Sequence, residues 1–487
     1  MGDTATHATH DTSGHGHGHA GPRELGPRRI DSMLPKAKNF AVMCAVVGGL
    51  MTLLALIWPQ FRERLAASYL VAFSYYLSIT IGAVFFVVLQ HLVRAGWSVV
   101  VRRVAEGLAM NMMLMIVLFI PAAVAIHMGG IHVQPGAHHG AGHGDPAAHG
   151  DPAHGEPAHE DHAPAHTPAP TESADRAPTL SLASDPVVRA GFPGSITQAH
   201  GRGAAVPETH PEMQKIKTLW LSPTFLVARI FGYIVLWLLL ASFYRRLSVA
   251  QDASGDVNLT NKMQWWAPAC MLMFAFSTAL CGFDLLMAID PTWYSTMFGV
   301  YFFAGCAQSF FAALAITLYA LQRNGLVREV TGEHYHDVGK LMFAFVIFWA
   351  YVGFSQFMLI WYGNIPEEVV WFQRRIDGGW IWVSALLILG GFFVPFLGML
   401  SRFGKRRPQL LLLGAAWCLV MHYIDLMWLV LPEPGKYRSA PVPLLDVGLA
   451  IALGGIYIYS TVGRLSGASL IPERDPRLPD SLNHENF

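Results

Sequence analysis

Charge is scarce in this chain. Of its 487 residues 14% are Asp, Glu, Lys or Arg and 53% are hydrophobic, whereas a soluble protein carries about 25% charged residues. Lys plus Arg equals Asp plus Glu at 33 each, so no bulk charge argues for nucleic acid or any other partner. Clustered cysteine is missing too. Cys44, Cys270, Cys281, Cys306 and Cys418 each lie inside an apolar run, and none forms a CxxC, a CxxCH or a quartet. That argues against an iron–sulphur cluster or an attached c-type haem on this chain, and small buried hydrophobes in helices are the plainer reading. Nor is a secretory signal expected: the first 35 residues are polar and rich in His and Gly, with no early apolar core.

What the chain has is long apolar runs. Crossing a bilayer takes roughly 20 apolar residues, and backbone groups in lipid must be satisfied internally, so such runs must be helices. The expected fold is all-α and polytopic, with ten transmembrane helices over 37–58, 68–92, 104–128, 223–244, 266–289, 294–321, 340–362, 379–401, 408–431 and 442–463. The weakest separation lies between the fifth and sixth, where Asp290-Pro291 makes the only turn. Gly48-Gly49 and Gly390-Gly391 are places where spans one and eight could soften.

Orientation follows from Lys and Arg. The N-terminal segment, the loops after spans two, four, six and eight, and the C-terminal tail hold 21 of them near the membrane. The four short loops on the other side hold 6: Arg62, Arg64, Arg374, Arg375, Lys436 and Arg438. Both termini are therefore expected in the cytoplasm, and residues 129–222 outside. The chain divides into a His/Gly-rich segment (1–35), spans one to three (36–128), the large loop (129–222), spans four to ten (223–464) and a tail (465–487).

The large loop is low-complexity for most of its length, and residues 132–185 cannot bury enough apolar surface to offset their ordering entropy. Leu219, Trp220 and Leu221 are candidates to lie along the membrane surface. His-rich tracts can bind metals, but a disordered tract offers no fixed ligand geometry. A solvated tether is the favoured reading here, and for His7, His10, His15, His17 and His19. No metal site is assigned.

An ionisable group at the bilayer centre costs about 2.5–3.5 kcal/mol on insertion scales, so each is a functional hypothesis. Span five carries Asp284, with Ser277 and Cys281 on its face. Span nine carries His422 and Asp425, three residues apart and so on one face. Asp446 starts span ten, Arg229 lies in span four, and His127 closes span three. These share the outer half of the bundle. An ion-pair network fixing helix packing, with Arg229 bridging carboxylates, competes with a proton- or quinone-related role, which a His and three Asp at similar depth favour. The inner half offers His91 and Glu106. Arg102 and Arg103 stand one turn from Glu106, so a surface ion pair is expected there. Along span seven Tyr351, Ser355, Met358 and Tyr362 form a stripe that could carry protons, although interhelical hydrogen bonding explains it as well. His91, His127 and His422 lie at different depths, so no bis-His haem is expected.

Four stretches carry a family resemblance: GAVFFVVLQHLVRAGWSVVVRRVAE (82–106), FDLLMAIDPTWYSTMFGVYFF (283–303), GKLMFAFVIFWAYVGFSQFMLIWYGNIPEE (339–368) and HYIDLMWLVLP (422–432). They resemble the NrfD-type, polysulphide-reductase-like membrane subunits, and more narrowly the F subunit of bacterial alternative complex III. The similarity spans about residues 36–465, and WYGNIPEE is its most specific part. It implies two four-helix bundles, spans two to five and six to nine, with spans one and ten outside them. It also implies the bacterial inner membrane and a quinol:electron-acceptor oxidoreductase. There the partners are a paralogous NrfD-like subunit, which is thought to hold the main quinol site, a periplasmic iron–sulphur subunit and c-type cytochrome subunits. The redox cofactors, haem c and iron–sulphur clusters, then sit in those partners; only a quinol or menaquinol would reach this chain. The leading expectation is a non-catalytic, proton-handling subunit, with Asp284 and Asp425 as equivalent relay groups. A quinone-binding subunit with its own site and a purely structural anchor are the alternatives.

Overall fold

A computed structural model describes residues 29–128, 218–290, 293–432 and 444–485. The His-rich segments, the disorder expected for 132–185 and the turn at Pro291 lie outside these residues. Among the described residues ten helices are long and apolar enough to cross a membrane. They are span one (Leu34–Ala55), two (Arg64–Leu92), three (Val99–His127), four (Pro223–Ser254), five (Val257–Ile289), six (Phe298–Arg323), seven (Gly332–Gly363), eight (Trp380–Leu400), nine (Pro408–Val430) and ten (Leu444–Leu465). The protein is an all-α, multi-span integral membrane protein.

Several helices begin or end beyond their apolar runs. Span four continues to Ser254, where Gly255 takes φ +68° and ends it, and Asp256 then caps span five by accepting from the Asn258 N–H at 2.9 Å. A left-handed residue at the helix end, followed by an Asp cap, is a helix–turn–helix signal that hydropathy does not register. Span seven likewise starts at Gly332, because Thr331 and His334 form a capping box.

Spans two to five pack as one group and spans six to nine as another. Spans two and six form the seam. A methyl group at Gly82 would come within 2.3 Å of the Cys306 carbonyl oxygen, so only glycine allows this approach. Span two is buried along most of its length, as the helix between two bundles must be. Spans one and ten lie antiparallel outside them. There Gly48 faces Ala452 and Gly455 faces Ala45, each so close that a Cβ would sit 2.2–2.3 Å from backbone. Gly48 is thus a contact rather than a hinge. Gly390-Gly391 does interrupt regular helix, within a π-helical segment from Leu387 to Phe393.

Because the spans alternate in direction, Leu34 and Leu465 lie at one end of the bundle. Residues 466–485 fold across that end, here termed the tail end. The Ser481 hydroxyl donates to the Trp97 carbonyl at 2.6 Å, and His334 bonds the Ser481 carbonyl at 3.1 Å. Asp475 pairs with Arg102, and the Glu473 N–H donates to Asp252 at 3.0 Å. The tail therefore touches both bundles.

Candidate functional site

The opposite end, termed the far end, holds Arg229, Asp284, Asp425, Asp446 and, deeper, His422. They form three separate arrangements. Asp284 sits one turn before the far-end terminus of span five and is 2% exposed. Arg229, on span four, grips it with both arms: Nε to Oδ2 at 2.9 Å and Nη2 to Oδ1 at 2.8 Å. The Tyr233 hydroxyl donates to Oδ2 at 3.0 Å. Arg229 also donates to the Trp220 carbonyl at 2.8 Å and lies 4.0 Å from the centre of the Trp220 ring. Three donors thus meet this carboxylate, two of them from one guanidinium, and such two-armed charge-assisted contacts are among the strong ones. Ser277, on the same face, accepts from the Trp237 indole at 2.8 Å instead.

Asp446 is also clamped, by Arg64 Nη2 at 2.8 Å, at the start of span ten. The Tyr423 hydroxyl donates to the Asp446 carbonyl at 2.8 Å, tying span nine to span ten.

Asp425 is held differently. It is 3% exposed. Oδ1 accepts from the Tyr301 hydroxyl and Oδ2 from the Trp349 indole, the latter at 3.2 Å. Both donors are neutral, and among the described residues no cation lies within ion-pair distance. One turn toward the tail end, His422 Nε2 meets the Ser78 hydroxyl at 2.8 Å. The Ser78 hydroxyl also lies 2.8 Å from the Tyr75 carbonyl, to which it donates. Ser309 lies 3.5 Å from Ser78. Asp425, His422, Gln308, Trp349, Gly391 and Met421 line a small cavity of about 10 Å³, roughly the space of one water. It is narrow, with room for water rather than for a ring.

The tail end presents a second buried cluster. Glu106 is 1% exposed. It lies 3.5 Å from Arg102, 3.2 Å from Arg103 and 3.7 Å from Arg245. The expected ion pair with Arg102 and Arg103 is present, but it is interior rather than on the surface. The tail covers it through Asp475, and span four supplies Arg245. His91 is fully buried, stacked on Tyr244 with ring centres 5.0 Å apart, and among the described residues neither ring nitrogen has a hydrogen-bond partner. Outside the spans, burial alone would raise the Asp475 carboxyl, but the neighbouring Arg102 guanidinium outweighs it and holds the group below the ordinary carboxylate range.

Tyr351, Met358 and Tyr362 face outward from span seven, Tyr351 being 63% exposed, while Ser355 is half-buried. A path along that stripe would run over the outer surface of the chain. On the inward face beyond its first turns, the buried polar residues are Trp349 and Gln356. His127 is exposed. Among the described residues no group of three or more His, Cys, Asp or Glu converges as a metal site.

The structure brings together residues that a charge-based reading overlooks: Tyr301, Trp349, Ser78 and Gln308 around Asp425, and Arg64 against Asp446. The available signal was Gln308-Ser309 in the middle of an apolar run, which a lipid-facing helix would not carry. Arg375 also escapes a charge count that treats it as a loop residue. Comparison with models of known protein families finds no match for this chain, and no curated protein matches it.

Proposed function

We propose that this chain is a non-catalytic, proton-handling membrane subunit of a quinol:electron-acceptor oxidoreductase of the alternative complex III kind, with Asp425 as its exchanging group. The observation that carries this reading is the asymmetry among the buried carboxylates. Asp284 and Asp446 are neutralised by arginine, whereas Asp425 meets only neutral donors beside a cavity shared with His422 and Gln308. A carboxyl group beside a guanidinium has a fixed countercharge that is tied to one place, while one among neutral donors has none and can gain or lose a proton as its surroundings change. His422 and Ser78 extend the hydrogen-bonding groups from Asp425 toward the middle of span two. The resemblance along spans two, five, seven and nine supports the oxidoreductase context. In it, haem c and iron–sulphur clusters belong to partner subunits. The tail end, with its Lys and Arg, is cytoplasmic and the membrane is the bacterial inner membrane. Glu106 and His91 serve the packing of the tail end in this reading, and Arg229 with Asp284 joins spans four and five.

The test replaces Asp425 by Asn, which keeps shape and hydrogen bonding but cannot exchange a proton. In purified, reconstituted complex the Asp425→Asn form should assemble with its partners' redox centres intact. Its quinol:acceptor turnover, or the acidification coupled to it, should fall by about tenfold, equivalent to about 1.4 kcal/mol on the limiting step. Wild-type rates of both in the assembled variant would overturn the reading.

A further inference from the structure

Arg375 has an environment unlike that of any other arginine described here. It lies in the connection between spans seven and eight yet is only 3% exposed. Its guanidinium donates to three carbonyls: Trp428 at 3.0 Å, Leu429 at 2.9 Å and Trp371 at 2.8 Å. It also lies 3.3 Å from the Trp371 ring centre and 5.1 Å from that of Trp428. Trp371 in turn stacks on Trp293 with centres 4.2 Å apart and planes 9° apart. The neighbouring charges neutralise each other, since Arg374 pairs with Asp290 at 2.6 Å. Among the described residues no carboxylate pairs with Arg375.

Two of those carbonyls belong to the last turn of span nine, three and four residues beyond Asp425. At 1.5 Å of rise per residue, they place the cation about one helical turn on the far-end side of that carboxyl. They are carbonyls that the helix itself leaves unpaired, and a cation there is favoured by the helix dipole. The cavity lies on the other side. His422 and Met421 precede Asp425 in span nine, and Gln308 lies two turns deeper in span six than Tyr301. Asp425 thus stands between a small cavity on its tail-end side and a fixed positive charge set in stacked indoles.

We propose that Arg375 is a charge barrier for Asp425: it closes the Tyr301–Asp425 pair to protons arriving from the far end, so that Asp425 exchanges protons only through the cavity it shares with His422. A guanidinium keeps its charge at all physiological pH. A fixed cation in a low-dielectric wall repels hydronium strongly over a single helical turn, as rings of charge select ions in channels. Its bonds to span nine also position that helix end. Arg375 is therefore a positioning residue whose charge and hydrogen bonds are separable by substitution. The inference rests on the proposed exchange at Asp425.

The experiment is passive proton leak through the intact complex in liposomes, driven by an imposed potential and read with an internal pH dye, without turnover. Arg375→Gln should raise the leak at least severalfold. Arg375→Lys, which keeps the charge but cannot reach three carbonyls, should stay near wild type. The double variant Arg375→Gln/Asp425→Asn should fall back to the wild-type leak. An Arg375→Gln leak equal to wild type, or a leak that persists in the double variant, would overturn the proposal. A second measurement needs no change at Arg375. The infrared carboxyl band lost in Asp425→Asn is followed in wild-type complex of uniform orientation while the pH is stepped on one side only. The band should respond to the tail side; a response from the far side overturns the barrier. If Asp425→Asn leaves turnover and acidification unchanged while Arg375→Gln opens an Asp425-dependent leak, the proposed function fails and the barrier stands.

Discussion

Asp284 and Asp425 occupy corresponding places, each in the last helix of its bundle and each about one turn from the far end. Their surroundings differ by one residue type. Span four offers Arg229 to Asp284, whereas spans six and seven offer Tyr301 and Trp349 to Asp425. The first carboxylate is a fastening. A buried ion pair needs its full set of donors to offset desolvation, and Arg229 with Tyr233 supplies them. The second keeps its chemistry available. Depth in the membrane does not separate the two roles proposed for them; in that reading the partner's charge does.

The largest effect should come from breaking the fastening. Arg229→Gln leaves the Asp284 carboxylate buried without its cation, at a cost of about 3–5 kcal/mol. It should lower the thermal midpoint of the purified complex sharply, or prevent assembly. Tyr301→Phe at the other carboxyl removes one neutral donor and should cost about 1–3 kcal/mol. Equal losses of stability in the two variants would erase the distinction. Adding Asp284→Asn to Arg229→Gln removes the stranded charge and should recover part of the loss, with a coupling of about 0.5–3 kcal/mol. An additive result would show that the pair is not the relevant contact.

Function should sort the carboxylates the opposite way. Asp425→Asn should assemble and slow, whereas Asp284→Asn, if it assembles, should turn over and acidify at the wild-type rate. That departs from the symmetry expected from sequence, in which both act as relay groups, and assaying both variants on one preparation decides between the views. A subtler perturbation leaves every titratable group in place. A methyl group at Gly305 would stand 2.9 Å from His422 Cε1, so Gly305→Ala must displace the imidazole that bonds Ser78. Overpacking of this kind costs about 1–3 kcal/mol. Turnover should fall less than in Asp425→Asn, and an unchanged rate would remove His422 from the path.

The smallest effect concerns the tail. The Asp475 carboxyl is held below its ordinary value once Arg102 outweighs burial. Its contribution to tail docking is complete above the unfolded-state value of about 3.9 and is lost as pH falls through the lower folded-state value. Protease sensitivity of residues 466–485 should therefore rise only in acid, and Asp475→Asn should make it high and less dependent on pH. A pH dependence unaltered by Asp475→Asn would assign the effect to another group.

Ten helices were legible because run length in lipid leaves the backbone no alternative. The shared depth of Arg229, Asp284, His422, Asp425 and Asp446 was also legible, by counting residues from each helix end. Which charges meet was not. Arg229 and Asp284 lie 55 positions apart, and Arg64 and Asp446 lie 382 apart. No periodicity on one helix reports what an adjacent helix brings to it. Glu106 was misjudged for the same reason: the spacing to Arg102 and Arg103 revealed the pair, while its burial depends on a tail whose apolar anchors, Leu470 and Ile471, are too few to stand out. The proposed exchange site rests on a tyrosine, a tryptophan and a serine, residue types that are common in any membrane helix.

The close antiparallel contact between spans one and ten has a consequence for biogenesis. Among the described spans, span one finds its main partner in span ten. Until Gly448 and Gly455 are synthesised, Gly48 and Ala45 have only lipid to face, and most of the bundle forms in the meantime. A chain cut short anywhere before span ten therefore exposes the same unmatched small-residue surface. The pairing thus joins helices separated by eight others in the chain, and it can form only after all of those have been made.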